Sequence, residues 1–147
     1  MEHVEYIYTV GMDDAEVTDY LRTGSHGVLA LADGDDAYAV PLSYHYDGDR
    51  LLLRVSTHDD DGEKRRYLDT TDTATFVCFA ADADESWSIH VRGPVTEWSG
   101  AVDEATLNEW FPPFRLFDEA VEDVAFTLYE LDMESVVGRR TTGTDSR

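Results

Sequence analysis

From residue 27 onward the hydrophobic and polar positions follow an extended rather than a helical period. Three apolar-rich runs, GVLALA (27–32), AYAVPLSYHY (37–46) and RLLLRVS (50–56), are separated by DGDD and DGD. Asp-Gly between such runs is a tight-turn signal, so this part of the chain predicts an antiparallel meander. Pro41 lies inside the second run and cannot donate to a ladder, which marks an edge, a bulge or a ligand-facing break. Two further strands are predicted at TATFVCFAA (73–81) and SWSIHVRGPVTEWS (86–99), the second bent by its Gly-Pro pair. VAFTLYELDMESVVGRR reads as a last strand or pair of strands.

Helical signals are short. In MDDAEVTDYLRTG, Asp13 is placed to cap with Glu16 three residues on, Val17, Tyr20 and Leu21 share a face, and Gly24 ends the helix. EKRRYLDTT predicts a second helix. A third, 104–111, has Asp103 as N-cap, Val102 and Leu107 at staple positions and Pro112-Pro113 beyond its end. Five to seven antiparallel strands with a few short helices predict a mainly β, compact barrel, because closure removes sheet edges. One domain over 1–147 is expected, with 1–10 and 141–147 peripheral.

Charge narrows the classes of partner. Thirty-two acidic residues against eleven Lys and Arg leave a net charge of −21, spread over every segment. The pattern resembles the surface of a halophilic archaeal protein; molar salt shortens the Debye length to about 3 Å and screens the self-repulsion. Nucleic acid and anionic membranes both need a basic footprint and are excluded as partners. With no apolar run near 18 residues and no leader-like N-terminus, a cytoplasmic protein is expected. Cys78, the only cysteine, reads as a buried core thiol. The five histidines show no metal-ligand spacing, and no Walker loop, G-x-G-x-x-G or G-x-S-x-G is present.

Within VSTHDDDGEKRRYLDTT lies the only lysine of the chain, Lys64, among ten arginines. It falls one or two residues inside a predicted helix start, just after Gly62, where free N–H groups and the helix dipole favour phosphate. Ser56 and Thr57 at the preceding strand end add hydroxyls, and Arg65 a second cation. Strand, Ser-Thr, loop, Gly-x-Lys, helix suits a phosphate monoester. The three aspartates 59–61 oppose it, and on composition alone a solvated charged turn is the commoner outcome.

In this order and spacing the segments resemble the FMN-binding split barrels related to pyridoxamine 5′-phosphate oxidase, over residues 12–98 and more loosely at VVGRR. That resemblance implies a six-stranded antiparallel split β-barrel, a homodimer, and FMN at the interface touched by both chains. It places Val40, Pro41, Leu42 and Ser43 beside the isoalloxazine and ribityl chain. Ser56 and Thr57 fall near the ribityl phosphate, Gly62 and Lys64 in the Gly/Ser-x-Lys phosphate signature, and Ser88 where the partner subunit reaches the flavin. Two features depart from vitamin B6 oxidases: no cation at the start of the flavin strand (Ala39, Val40), and no Arg-containing substrate-binding ending. The implied function is an FMN-dependent oxidoreductase of unknown substrate, with His45, Tyr44 and His90 available as acids but none assigned. The alternatives are a non-turnover flavin carrier or sensor, a barrel binding a deazaflavin or haem, and a dimeric scaffold without cofactor.

Overall fold

The computed structural model describes residues 9–57, 62–82, 84–100, 102–111 and 125–141. The acidic run 59–61 and Pro112-Pro113 lie outside these. The strands are β1 (Thr9–Gly11), β2 (His26–Asp33), β3 (Asp36–Tyr46), β4 (Leu51–Thr57), β5 (Ala74–Ala81), β6 (Ser86–Gly93), β7 (Val95–Glu97), β8 (Ala125–Leu131) and β9 (Ser135–Thr141). Among the described residues three helices interrupt them: α1 (Asp14–Thr23), α2 (Gly62–Thr70) and α3 (Glu104–Trp110). The sheet order is β1-β9-β6-β5-β2-β3-β4-β8-β7, and every pairing is antiparallel.

The count of nine, against six expected, has a simple origin. β6 and β7 are one strand bent at Gly93-Pro94, and β8 and β9 are one strand bent at Asp132–Glu134. Between the facing pairs Arg92–Ser135 and Val95–Leu131, the first strand carries two residues and the second three. The extra residue is a bulge, held by Asp132 N–H to Pro94 O at 2.9 Å and Glu134 N–H to Arg92 O at 3.0 Å. Since β8 also pairs along all of β4, this bent pair closes the ring β2-β3-β4-(β8β9)-(β6β7)-β5. The six-stranded barrel is there, with the three-residue β1 added at one edge.

Alternation fills the barrel. Leu29, Leu31, Leu42, Tyr44, Leu53, Phe76, Cys78, Ile89 and Val91 point inward and are all buried. The two ends are closed by helices. At one end α1 buries Leu21 completely and packs Tyr20 at a tilt against Trp87, 4.8 Å between ring centres, while Glu16 meets Arg140 at 2.7 Å. Its capping box is complete: Glu16 N–H donates to Asp13 and Asp13 N–H to Glu16. Gly24 follows the last turn as expected, but in extended backbone, φ −84°. Its lack of a side chain serves Tyr44, whose hydroxyl occupies the space a Cβ would need and donates to Leu21 O at 2.7 Å. At the other end α2 buries Tyr67 and Leu68. Tyr67 stacks on Tyr38 at 4.9 Å and donates to Asp36 at 2.7 Å, pinning α2 to the β2–β3 turn.

Gly93 is the tightest point of the closure, because a Cβ there would lie 1.7 Å from Asp132 O. Gly93→Ala is predicted to destabilise the chain by about 1–3 kcal/mol or more, as overpacking against backbone does. Gly11→Ala, with nothing within 4 Å of the new Cβ, is predicted to stay within about 0.5 kcal/mol. Denaturant unfolding of both in molar salt checks this.

Candidate functional site

Strands β3 and β4 do not stay together. They pair from Tyr46–Leu51 to Ser43–Arg54 and then part, β3 remaining with β2 to Asp36 and β4 with β8 to Thr57. Residues 36–42 of β3 are therefore paired on one side only among the described residues, and every second N–H and C=O there faces the opening. Pro41 sits in this stretch, where a residue without N–H is tolerated. Pro41 is exposed, Val40 half-buried, and Leu42 and Ser43 are buried at 5%.

The other residues singled out from sequence fall on β4, α2 and β6. Ser56 and Thr57 end β4, opposite Phe126 and Ala125. Gly62 starts α2, and Lys64 is its third residue, half-buried, one turn before Tyr67 on the same face. Since Tyr67 is fixed to Asp36 and Tyr38, the start of α2 belongs to the end of the molecule where β3 and β4 have separated. Arg65 is exposed on α2. Ser88 alone lies elsewhere: it is on β6, facing Phe79 and Arg139, three strands from β3.

The outer side of β3-β4-β8 forms a second, smaller cluster under α3. Leu52 and Phe111 are buried there, His45 stacks on Trp110 (4.6 Å, 6° between planes), and Arg54 Nη1 donates to Phe111 O at 3.4 Å. Trp110, the last residue of α3, and its C-cap Phe111 thus pack on the chain itself. A cleft of about 280 Å³ opens between this cluster and α1, lined by Arg22, Ser25, His45, Tyr46, Glu109 and Trp110 among others. Burial lowers the His45 pKa below the usual imidazole value, against the opposing pull of Asp47 and Glu109. Tyr44 is no candidate acid: its hydroxyl is buried, engaged by Leu21 O, and pushed by burial far above the phenol range. Burial likewise pushes the Cys78 thiol up to about 11, so it stays protonated. No group of three or more potential metal ligands occurs among the described residues, and no described helix is long and apolar enough to cross a membrane.

One feature escaped the sequence reading. Cross-strand neighbours share a face, so the registers define the outer side of β3-β2-β5-β6-β9. Its positions are every second residue from Ala37, His26, Thr75, Ser86 and Ser135 to the end of each run at Ser43, Ala32, Ala81, Arg92 and Thr141. None is acidic, in a chain where 32 of 147 residues are. Phe79 and Val137 on this face are 62% and 54% exposed. The strand-by-strand alternation was readable; the rows across strands were not, because they need the registers.

The profile of the pyridoxamine 5′-phosphate oxidase family matches residues 13–140. The chain belongs to that family. Similar solved structures agree on the split-barrel fold. An FAD-binding protein from Mesorhizobium loti shares 17% identity at a TM-score of 0.67, covering 93% of this chain and 99% of its own. An FAD-binding protein from Mycobacterium smegmatis shares 18% at 0.59, covering 88% and 96%. An FAD- and haem-binding protein from the same organism shares 17% at 0.67, covering 92% and 74%. No curated protein matches.

With the His45 pKa lowered, the folded chain binds fewer protons there than the unfolded chain. Its contribution to stability is present above about pH 6.5, the ordinary imidazole value, and is lost as pH falls toward the lowered value. NMR titration of the imidazole is predicted to give a midpoint below 6.5, and His45→Gln to flatten the acid side of the stability profile.

Proposed function

We propose that this family member is an FMN-binding flavoprotein, an oxidoreductase of unknown substrate built as a homodimer with one flavin per β3–β4 opening. The observation that carries it is the parting of β3 from β4, with α2 tied through Tyr67 to Asp36 at the parted end of β3. The one-sided backbone of Val40, Pro41 and Leu42, with Ser43 at its closed end, offers donors and acceptors to the edge of a flat polar ring. Ser56, Thr57, the Gly62 helix start and Lys64 supply the hydroxyls, free N–H groups and charge that a phosphate monoester needs. Lysine acts there as a compact point charge, and Arg65 adds a second cation. Residues and cofactor therefore fit.

Bound FMN supplies hydride or electron transfer, and the protein contributes position and electrostatics. Ser43, nearly buried, orients the ring from one side. His45 lines the cleft two residues along and is available to hold a proton for a substrate. The carboxylate-free face supports the dimer: a halophile-type surface is acidic where it meets solvent, and a wide face without acids, carrying exposed Phe79 and Val137, suits burial against a second copy. That dimer brings Ser88 to the flavin of the other copy. FMN and FAD share the ring, ribityl chain and first phosphate, so both are tested.

FMN, FAD and haem are titrated into the cofactor-free protein in molar KCl, with Lys64→Ala alongside. FMN is predicted to bind at micromolar affinity or better, and the variant to lose at least tenfold, about 1.4 kcal/mol. Absence of flavin uptake, or haem bound in its place, overturns the reading. Gel filtration is predicted to show a dimer that Phe79→Asp converts to monomer.

A further inference from the structure

The cleft between α1 and α3 divides its polar side chains into two sets. The hydroxyls that line it are hydrogen-bonded within the protein: Thr23 to Tyr20 O at 2.9 Å, Ser25 with His26 Nδ1 at 3.1 Å, Tyr44 to Leu21 O at 2.7 Å and Tyr46 to Gly48 O at 3.0 Å. The cation, the imidazole and the carboxylate that line it, Arg22, His45 and Glu109, form no hydrogen bond or ion pair among the described residues. From this division we infer that the cleft binds a small amphoteric molecule of the amino-acid class. Arg22 holds its carboxylate, Glu109 its ammonium group, and the segment between them passes the His45 ring.

The two charges are placed by their own elements rather than by each other. Arg22 stands in the last turn of α1. Its Nη2 lies over the β3–β4 turn, so near Gly48 that a Cβ there would be 2.6 Å away. The carboxylate beside that glycine does not take it up. Asp47 already accepts from Asp49 N–H at 2.8 Å, from Arg50 N–H at 2.7 Å and from Arg50 Nη2 at 3.3 Å. Glu109 comes from α3, one residue before Trp110, whose ring fixes the plane of His45 by stacking on it. Arg22 and Glu109 therefore line one cleft without meeting, and a ligand carrying both charges satisfies the two at once.

Size and charge set the class. About 280 Å³ lies at the lower end of ligand pockets, which start near roughly 300 Å³, so the occupant is small. A simple anion would face Glu109 unpaired, and a simple cation would face Arg22; each is rejected by the charge it cannot meet. Charge-assisted hydrogen bonds at both ends favour the zwitterion. Burial keeps His45 neutral to lower pH than usual, so its ring offers one donor and one acceptor to the middle of the ligand. None of these three side chains holds the flavin in the reading above, so uptake is expected with and without FMN.

The probes are L-alanine and 4-aminobutanoate, two spacings of the same charges, with butanoate and butylammonium carrying one charge each. Each is titrated into the full chain in molar KCl and followed by the NMR signals of the His45 imidazole and Trp110 indole. At least one zwitterion is predicted to saturate both signals at millimolar concentration, about tenfold or more tighter than either single-charge probe. Arg22→Gln and Glu109→Gln, both at exposed positions, are each predicted to weaken it about tenfold with the unfolding midpoint unchanged. Failure of both zwitterions to saturate, equal binding of butanoate or butylammonium, or either variant binding as wild type does overturns the inference. The probe comparison needs only wild type, so it decides the matter even where a variant fails to fold. FMN uptake is a separate titration, and an empty cleft leaves the flavin reading as it stands.

Discussion

The candidate site depends on one constraint: β4 pairs with β8 along its whole length, Leu51 to Thr57, but with β3 only as far as Arg54. A strand that follows one neighbour must leave the other where the two diverge. The divergence leaves a length of β3 with backbone groups that no strand among the described residues satisfies. Unmet N–H and C=O groups are costly when buried without partners, so the opening must take up water, another chain or a ligand. The tie between Tyr67 and the β2–β3 turn then decides that the start of α2, and Lys64 with it, belongs to this end of the barrel.

Closure on the far side is achieved by two bent strands rather than by an added element. Gly93 and Pro94 against the bulge at Asp132–Glu134 let one strand pair serve two neighbouring parts of the wall. A barrel closed in this way has its inner face filled by its own side chains, so binding is left to the outside. There the surface divides. One region is covered by α3, through Phe111 and the His45–Trp110 stack; among the described residues no helix covers the other, whose strand positions carry no acid, and that is the face proposed to meet a second copy.

Much of this was legible in the chain. The period-two runs and Asp-Gly turns gave β2, β3 and β4 to within a residue or two, and the Asp13–Glu16 capping box and Asp103 cap are formed as read. The family resemblance led to the same split barrel. Other features needed three dimensions. Gly24 was expected as a helix stop, but its smallness is required by a tyrosine twenty residues later. The bulge opposite Gly93-Pro94 depends on counting residues in two strands whose pairing the sequence does not state. The acid-free face, and Arg139 beside Ser88, appear only once four registers are known. Local rules reach capping boxes and turns; rows across a sheet are set by long-range pairing.

The most direct measurement is hydrogen–deuterium exchange of the intact chain in molar salt with and without FMN, followed peptide by peptide. The predicted result is slower exchange on FMN addition in residues 38–43 of β3 and at the start of α2, together with 86–90 of β6 and 137–140 of β9. Protection confined to the cleft between α1 and α3, or no protection in β3, would contradict a flavin held where β3 and β4 part.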